Sequence, residues 1–120
     1  MTRLTPAEQA DRKMTGAAFQ AQIAELAHIY GWQWVHFRPA QTQRGWRTPV
    51  EGPLGKGWPD LFLAHPRKRR LLAVEVKREI GDPLTADQVA VLQTLAAAGL
   101  ETVVWRPSDM TAGRVQAALR

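Results

Sequence analysis

Gly57-Trp-Pro-Asp-Leu-Phe-Leu-Ala-His65, Pro66-Arg-Lys-Arg-Arg70 and Leu71-Leu-Ala-Val-Glu-Val-Lys77 read as two apolar β-runs joined by a short basic turn. The runs are apolar on both faces, with Phe62 and Ala73 to one side and Leu61, Leu63, Leu72 and Val74 to the other. Such runs belong in the middle of a sheet that helices cover. Charge gathers at one end: Asp60 opens the first run, and Glu75 and Lys77 close the second. Side chains alternate across a strand, so Glu75 and Lys77 share a face and Val76 takes the other. A turn with an even number of residues sets Asp60 directly across from Glu75.

Two carboxylates and a lysine at the end of an apolar hairpin are costly to place there without a compensating partner. A divalent cation is such a partner. Mg²⁺ takes oxygen ligands, usually one or two carboxylates with water or phosphate completing the octahedron. Asp60, Glu75 and the Val76 carbonyl therefore form a candidate metal site, and the Lys77 ammonium can reach a water that the metal polarises. The same residues also fit a plain strand end, with Glu75 and Lys77 as an ion pair and Asp60 capping a turn. Spacing leaves both readings open.

Upstream, Phe19, Ile23, Leu26 and Tyr30 recur at helical spacing and predict a helix with Thr15 as N-cap and Gly31 as its stop. Residues 7–13 allow a short helix before it. Residues 32–37 are aromatic and β-branched and predict a strand. Residues 38–57 read as a long loop rich in Gly, Pro, Gln and Thr, of the kind that is usually functional. Its Arg38, Arg44, Arg47 and Lys56 are candidate contacts to a DNA backbone, which position without reading sequence; a merely solvated loop is the alternative. Trp46 or Trp58 can stack on an unpaired base.

Downstream, Thr85-Ala-Asp-Gln88 has the form of a capping box and opens a helix whose apolar face is Val89, Leu92, Leu95 and Ala96, ending at Gly99. Residues 100–105 predict a strand, and a helix between two strands makes it parallel to the Val74 strand. Ser108-Asp109 caps a last helix running to Leu119. His28 and His65 lack partners at metal-ligand spacing and read as structural, and His36 as a half-exposed strand end.

The chain has 120 residues, enough for one domain with a modest core. Its formal net charge of +5 favours a polyanionic partner, and arginine, 12 of the 16 basic residues, suits phosphate. Codon bias in a GC-rich genome explains the arginine equally well. There is no cysteine, which excludes disulfides and thiolate zinc sites and fits a reducing cytoplasm. No run approaches the roughly 18 apolar residues that span a bilayer, and the N-terminus lacks a signal-peptide core.

Pro59-Asp60 followed at a separation of fifteen by Glu75-Val76-Lys77 resembles the PD-(D/E)XK nuclease motif. Gly57-Trp58-Pro59-Asp60-Leu61, the Leu84-Thr85-x-x-Gln88 helix start, and Gly99 before a strand ending Trp105-Arg106-Pro107 narrow the likeness. Together they resemble the VRR-NUC family, particularly its standalone members from phages and prophages. The resemblance implies an α/β fold with the PD-(D/E)XK nuclease core, a mixed central sheet flanked by helices in the order α-β-β-β-α-β-α. It makes residues 15–120 the nuclease domain and 1–14 an N-terminal extension. It further implies an endonuclease dependent on Mg²⁺ or Mn²⁺ that acts on DNA, selective for branched structures such as four-way (Holliday) junctions. It implies a homodimer, and the cytoplasm of a bacterial host if the gene is a phage's. Asp60 and Glu75 would bind metal with the Val76 carbonyl, Lys77 would orient or deprotonate the attacking water, and Gln88 would join the site.

One feature departs from the family. A glutamate is expected near the start of the first helix, but the segment reads Thr15-Gly-Ala-Ala-Phe-Gln20. At 100° per residue Glu25 falls about 140° from the buried face and should meet solvent, whereas Gln20, about 80° off, is the first-helix residue able to reach the site. The missing acid motivates an alternative, a catalytically weak or inactive DNA-binding module with the same fold. An RNA-directed nuclease is a further alternative.

Overall fold

The computed structural model describes residues 3–37, 40–42, 45–47 and 50–120, and for 40–42, 46 and 47 the backbone alone. In chain order the elements are α1 (Pro6–Lys13), α2 (Gly16–Ile29), β1 (Gln33–His36), β2 (Ala40–Thr42), β3 (Gly45–Arg47), β4 (Leu61–His65), β5 (Arg70–Val76), α3 (Ala86–Ala97), β6 (Glu101–Trp105), α4 (Pro107–Thr111) and α5 (Arg114–Leu119). The main sheet has the order β1-β4-β5-β6, so the apolar hairpin β4–β5 is central. β1 and β4 are antiparallel, as are β4 and β5, and β6 runs parallel to β5. The sheet is thus mixed, with the nuclease-like core order expected.

The hairpin turn takes four residues, between the pair His65 and Arg70, and the register sets Leu61 against Val74. One step further along that register places Asp60 opposite Glu75. Leu61, Leu63, Leu72 and Val74 face α2 and α5 in one core with Phe19, Ile23, Ala27, Trp32, Trp105, Val115 and Leu119. Burying these side chains supplies the main stabilisation, at roughly 1.5–3 kcal/mol for each large one. Trp32 also donates its indole N–H to the Leu119 carbonyl at 2.8 Å, tying the last helix to the start of β1. The hairpin's basic end is partly structural: Arg70 makes a two-pronged bond to Glu101 at 2.9 Å and lies 5.0 Å over the Trp32 ring. Only Arg67, Lys68 and Arg69 of that run stay exposed.

Several expectations need correction. The helix α2 begins at its Thr15 cap as expected, but its buried stripe is Phe19, Ile23, Ala24 and Ala27; Leu26 and Tyr30 are half-buried. In α3 the buried residues are Val91 and Leu92, while Val89 and Ala96 are exposed. The reason is Gln88, which turns inward and carries the helix face with it at spacings of three and four. The 38–57 connection is not wholly loop, because β2 and β3 pair as a small separate hairpin. The last helix does not start at a Ser108-Asp109 cap. It starts at Pro107, where the Asp109 carboxylate accepts from the Arg106 N–H at 2.7 Å, and it breaks at Gly113, which adopts φ 81°. The short N-terminal helix does form. Its buried Asp11 accepts from the Thr111 hydroxyl at 2.7 Å, so α1 lies on α4.

Candidate active site

The two strand ends carry Asp60, Glu75 and Lys77 into one place. Glu75 is 1% exposed and Lys77 5%. Asp60 is half-buried, and its Oδ2 accepts from the Val76 N–H at 2.9 Å. In a strand the N–H and C=O of one residue leave by the same edge, so the Val76 carbonyl is directed to the Asp60 side. The Lys77 N–H, on the opposite edge, bonds to the Trp105 carbonyl. An aromatic trio supports the approach to Asp60: Trp58 stacks on Phe62 at 5.2 Å, and Phe37 sits edge-on to both. The stacked Phe62 partner makes Trp58 an anchor of this strand start. The side chain of Trp46 lies outside the described residues.

Gln88 resolves two readings into one. Its Oε1 accepts from the Thr85 N–H at 2.9 Å and closes the capping box. Its Nε2 donates to Glu75 Oε1 at 3.2 Å. One amide therefore starts the helix and holds the carboxylate. Gly57 makes this approach possible, since it lies at φ 92° against the Asp87–Gln88 backbone.

The second Glu75 oxygen, Oε2, is buried and has no donor. Burial above all, then a hydrogen bond to Asp60 and the charge of Asp60, push the Glu75 carboxyl up to about 9, against the pull of the Lys77 ammonium. Burial and the neighbouring Asp60 charge both disfavour the ionised Glu75 carboxylate, and a cation beside the pair would relieve both. The donor set fits a hard divalent ion: two carboxylates, with Glu75 Oε2 unclaimed, and a backbone carbonyl on the same edge. Among the described residues no group of three or more His, Cys, Asp or Glu is placed to hold a metal ion, so the acidic donors here number two.

Asp82 was not singled out by sequence reasoning. It lies in the turn after Lys77, and its Oδ1 stands 3.5 Å from Lys77 Nζ while Oδ2 accepts from the Arg78 N–H at 2.9 Å. Burial pushes its carboxyl up, but the Arg78 N–H and the Lys77 ammonium outweigh burial and leave it below the usual carboxylate value. Arg106 clamps the turn by donating to the Arg78 and Asp82 carbonyls. The only sequence signal was an acid five residues after the lysine in a Gly- and Pro-bounded turn. Asp82→Ala unpairs a buried ammonium and is expected to destabilise the fold by about 2–3 kcal/mol, which denaturant melts check.

The remaining candidates are scattered. Gln20 lines a cleft together with Asp60 and bonds through Nε2 to His36 Nδ1. Glu25 is exposed, as expected, at the rim of that same cleft. Lys56 is exposed and pairs with Asp87 at 3.4 Å, at the start of α3. Arg38 and Arg44 lie outside the described residues, as does the Arg47 side chain. His65 is structural: it is buried, bonded to the Tyr30 carbonyl and edge-on to Trp32.

A family model described as the VRR-NUC domain matches residues 36–109, well over half of the chain. The chain belongs to the VRR-NUC family. The match runs from the last residue of β1 into α4, and so contains Asp60, Glu75, Lys77 and Gln88, while α2 and Gln20 fall before it. Membership makes this a nuclease-like domain of a DNA-acting family. No curated protein and no solved structure matches the VRR-NUC chain. No helix among its described residues is long and apolar enough to cross a membrane.

Proposed function

We propose that this VRR-NUC chain is a metal-dependent endonuclease that hydrolyses DNA phosphodiester bonds, selective for branched DNA and working as a homodimer. The observation that carries the reading is the buried Glu75 beside Asp60, with Oε2 lacking any donor and Lys77 on the same strand face. Asp60, Glu75 and the Val76 carbonyl would hold the ion. Mg²⁺ or Mn²⁺ there supplies Lewis acidity toward a phosphoryl oxygen and lowers the pKa of a bound water. Gln88 fixes the Glu75 carboxylate, so its free oxygen stays aimed at the site. The Lys77 ammonium sets positive charge beside the carboxylates, where it orients a water and offsets the negative charge that builds on the phosphoryl oxygens in the transition state. Asp82 holds that ammonium in place. Residues 1–14 act as an extension to the nuclease domain, 15–120, packed on it through Asp11.

A second reading, a DNA-binding module with weak catalysis, draws on one observation. The residue that α2 brings to the Asp60 cleft nearest the family's missing acid is the neutral Gln20. One assay separates the two. Supercoiled plasmid and a synthetic four-way junction are incubated with the protein in Mg²⁺, in Mn²⁺ and in EDTA. The nuclease reading expects cleavage in metal alone, cut by about a thousandfold or more in Lys77→Ala, equivalent to about 4 kcal/mol of lost transition-state stabilisation. Tight binding with no cleavage in either metal overturns it.

A further inference from the structure

A cleft of about 800 Å³ opens between α2 and β1, and Asp60 stands at one end of it. That volume lies in the range of small-ligand sites. Its floor is apolar, formed by Ala17, Ala21 and Ala24, and one wall is Trp34, a tryptophan left 46% exposed. Gln20 supplies an amide edge, and Glu25 a carboxylate at the rim. Among the described lining residues there is no lysine or arginine. His28 and His36 also line it, and a phosphate would meet the carboxylates of Asp60 and Glu25. A flat, neutral ring with amino and imino edges would meet an indole, an apolar floor and acceptors.

We propose that this cleft receives an unpaired nucleobase of the DNA strand whose phosphate lies at Asp60. The proposal rests on the nuclease reading for the position of that phosphate. Stacking on Trp34 supplies affinity without regard to base identity, because every base has a π-face. Gln20 and Glu25 accept from exocyclic amino groups, which favours adenine, cytosine or guanine over thymine. The cost of unstacking is least for a base that is already unpaired, so the cleft selects bulges, mismatches and junction points over intact duplex. It gives structure selectivity a physical source within one copy of the chain.

The test uses a duplex carrying one unpaired 2-aminopurine, bound in EDTA at protein concentrations that saturate the anisotropy of a distant dye. The parent chain is expected to quench the 2-aminopurine several-fold. Trp34→Ala removes the stacking wall, and Ala21→Phe fills the cleft from an exposed helix position. Both are expected to restore most of the fluorescence and to reduce the preference for bulged over fully paired duplex about tenfold. Saturated binding with unchanged fluorescence in the parent overturns the proposal, as does quenching in both variants equal to the parent's. A fall in molar mass by light scattering in Trp34→Ala also overturns it, marking the face as an interface between copies. Quenching without metal-dependent cleavage supports the pocket while removing the nuclease reading; cleavage without quenching does the reverse. Failure to bind the bulged duplex overturns both.

Discussion

In EDTA at pH 7, Glu75→Gln is expected to be more stable than the parent chain by on the order of 3 kcal/mol, and to lose about a thousandfold or more of its cleavage rate. The two effects share one cause. The Glu75 carboxyl is raised from its ordinary 4.5 to about 9 in the folded protein, by burial first and by Asp60 next. In the unfolded chain it ionises above about pH 4.5, whereas in the folded chain it keeps its proton until about pH 9. Between those values the unfolded state gains stability relative to the folded one. Stability from this group is therefore full below about pH 4.5 and falls steadily as pH rises toward 9. Glutamine never ionises, so the variant should lack that fall while the parent shows it. Thermal melts in EDTA from pH 5 to pH 9 check this, and converging curves toward pH 5 are part of the expected result. A variant less stable than the parent across the range would mean that Glu75 is an ordinary ion-paired carboxylate. Cleavage is lost because the amide cannot provide the anionic oxygen that the site is built around.

Gly57→Ala is expected to destabilise the fold by about 2–4 kcal/mol and to impair the site in whatever protein remains folded. Gly57 adopts φ 92°, a conformation open to glycine. A Cβ there would come within 2.6 Å of the Asp87 carbonyl carbon and oxygen and 2.8 Å of the Gln88 nitrogen. These are backbone atoms in the first turn of α3, so relief requires the helix start to move. Moving it draws Gln88 away from Glu75, where the bond is already 3.2 Å. Denaturant melts and cleavage rates corrected for folded fraction measure the two effects separately. A variant as stable as the parent would contradict the close packing of Gly57 on α3.

The β4–β5 hairpin was legible because the local signals agreed: two apolar runs, a short basic turn between them and carboxylates only at the opposite end. The parallel placement of β6 followed from the helix before it. The rotation of α3 was not legible. Periodicity pointed to the face of Val89, Leu92, Leu95 and Ala96, whereas the helix that bonds Gln88 to Glu75 buries Val91 and Leu92. The pairing of β2 with β3 escaped notice because three-residue strands amid Gly and Pro carry little pattern. At the site, Asp60, Glu75 and Lys77 stood out by charge within apolar runs. Asp82 did not, because an aspartate in a turn has a sufficient local reason to be there, and its contact with Lys77 depends on how the turn folds back. The cleft beside Asp60 was invisible for a similar reason, since its alanine floor and Trp34 wall come from elements whose packing the sequence does not specify.

The most direct test of the central claim, that Asp60 and Glu75 together hold a divalent ion, is calorimetric titration of the chelator-treated protein with Mn²⁺. Saturable binding to the parent chain is expected, weakened at least about tenfold in Asp60→Asn and in Glu75→Gln, with both variants folded by circular dichroism. Absence of saturable binding to the parent, or an affinity in both variants equal to the parent's, would contradict it.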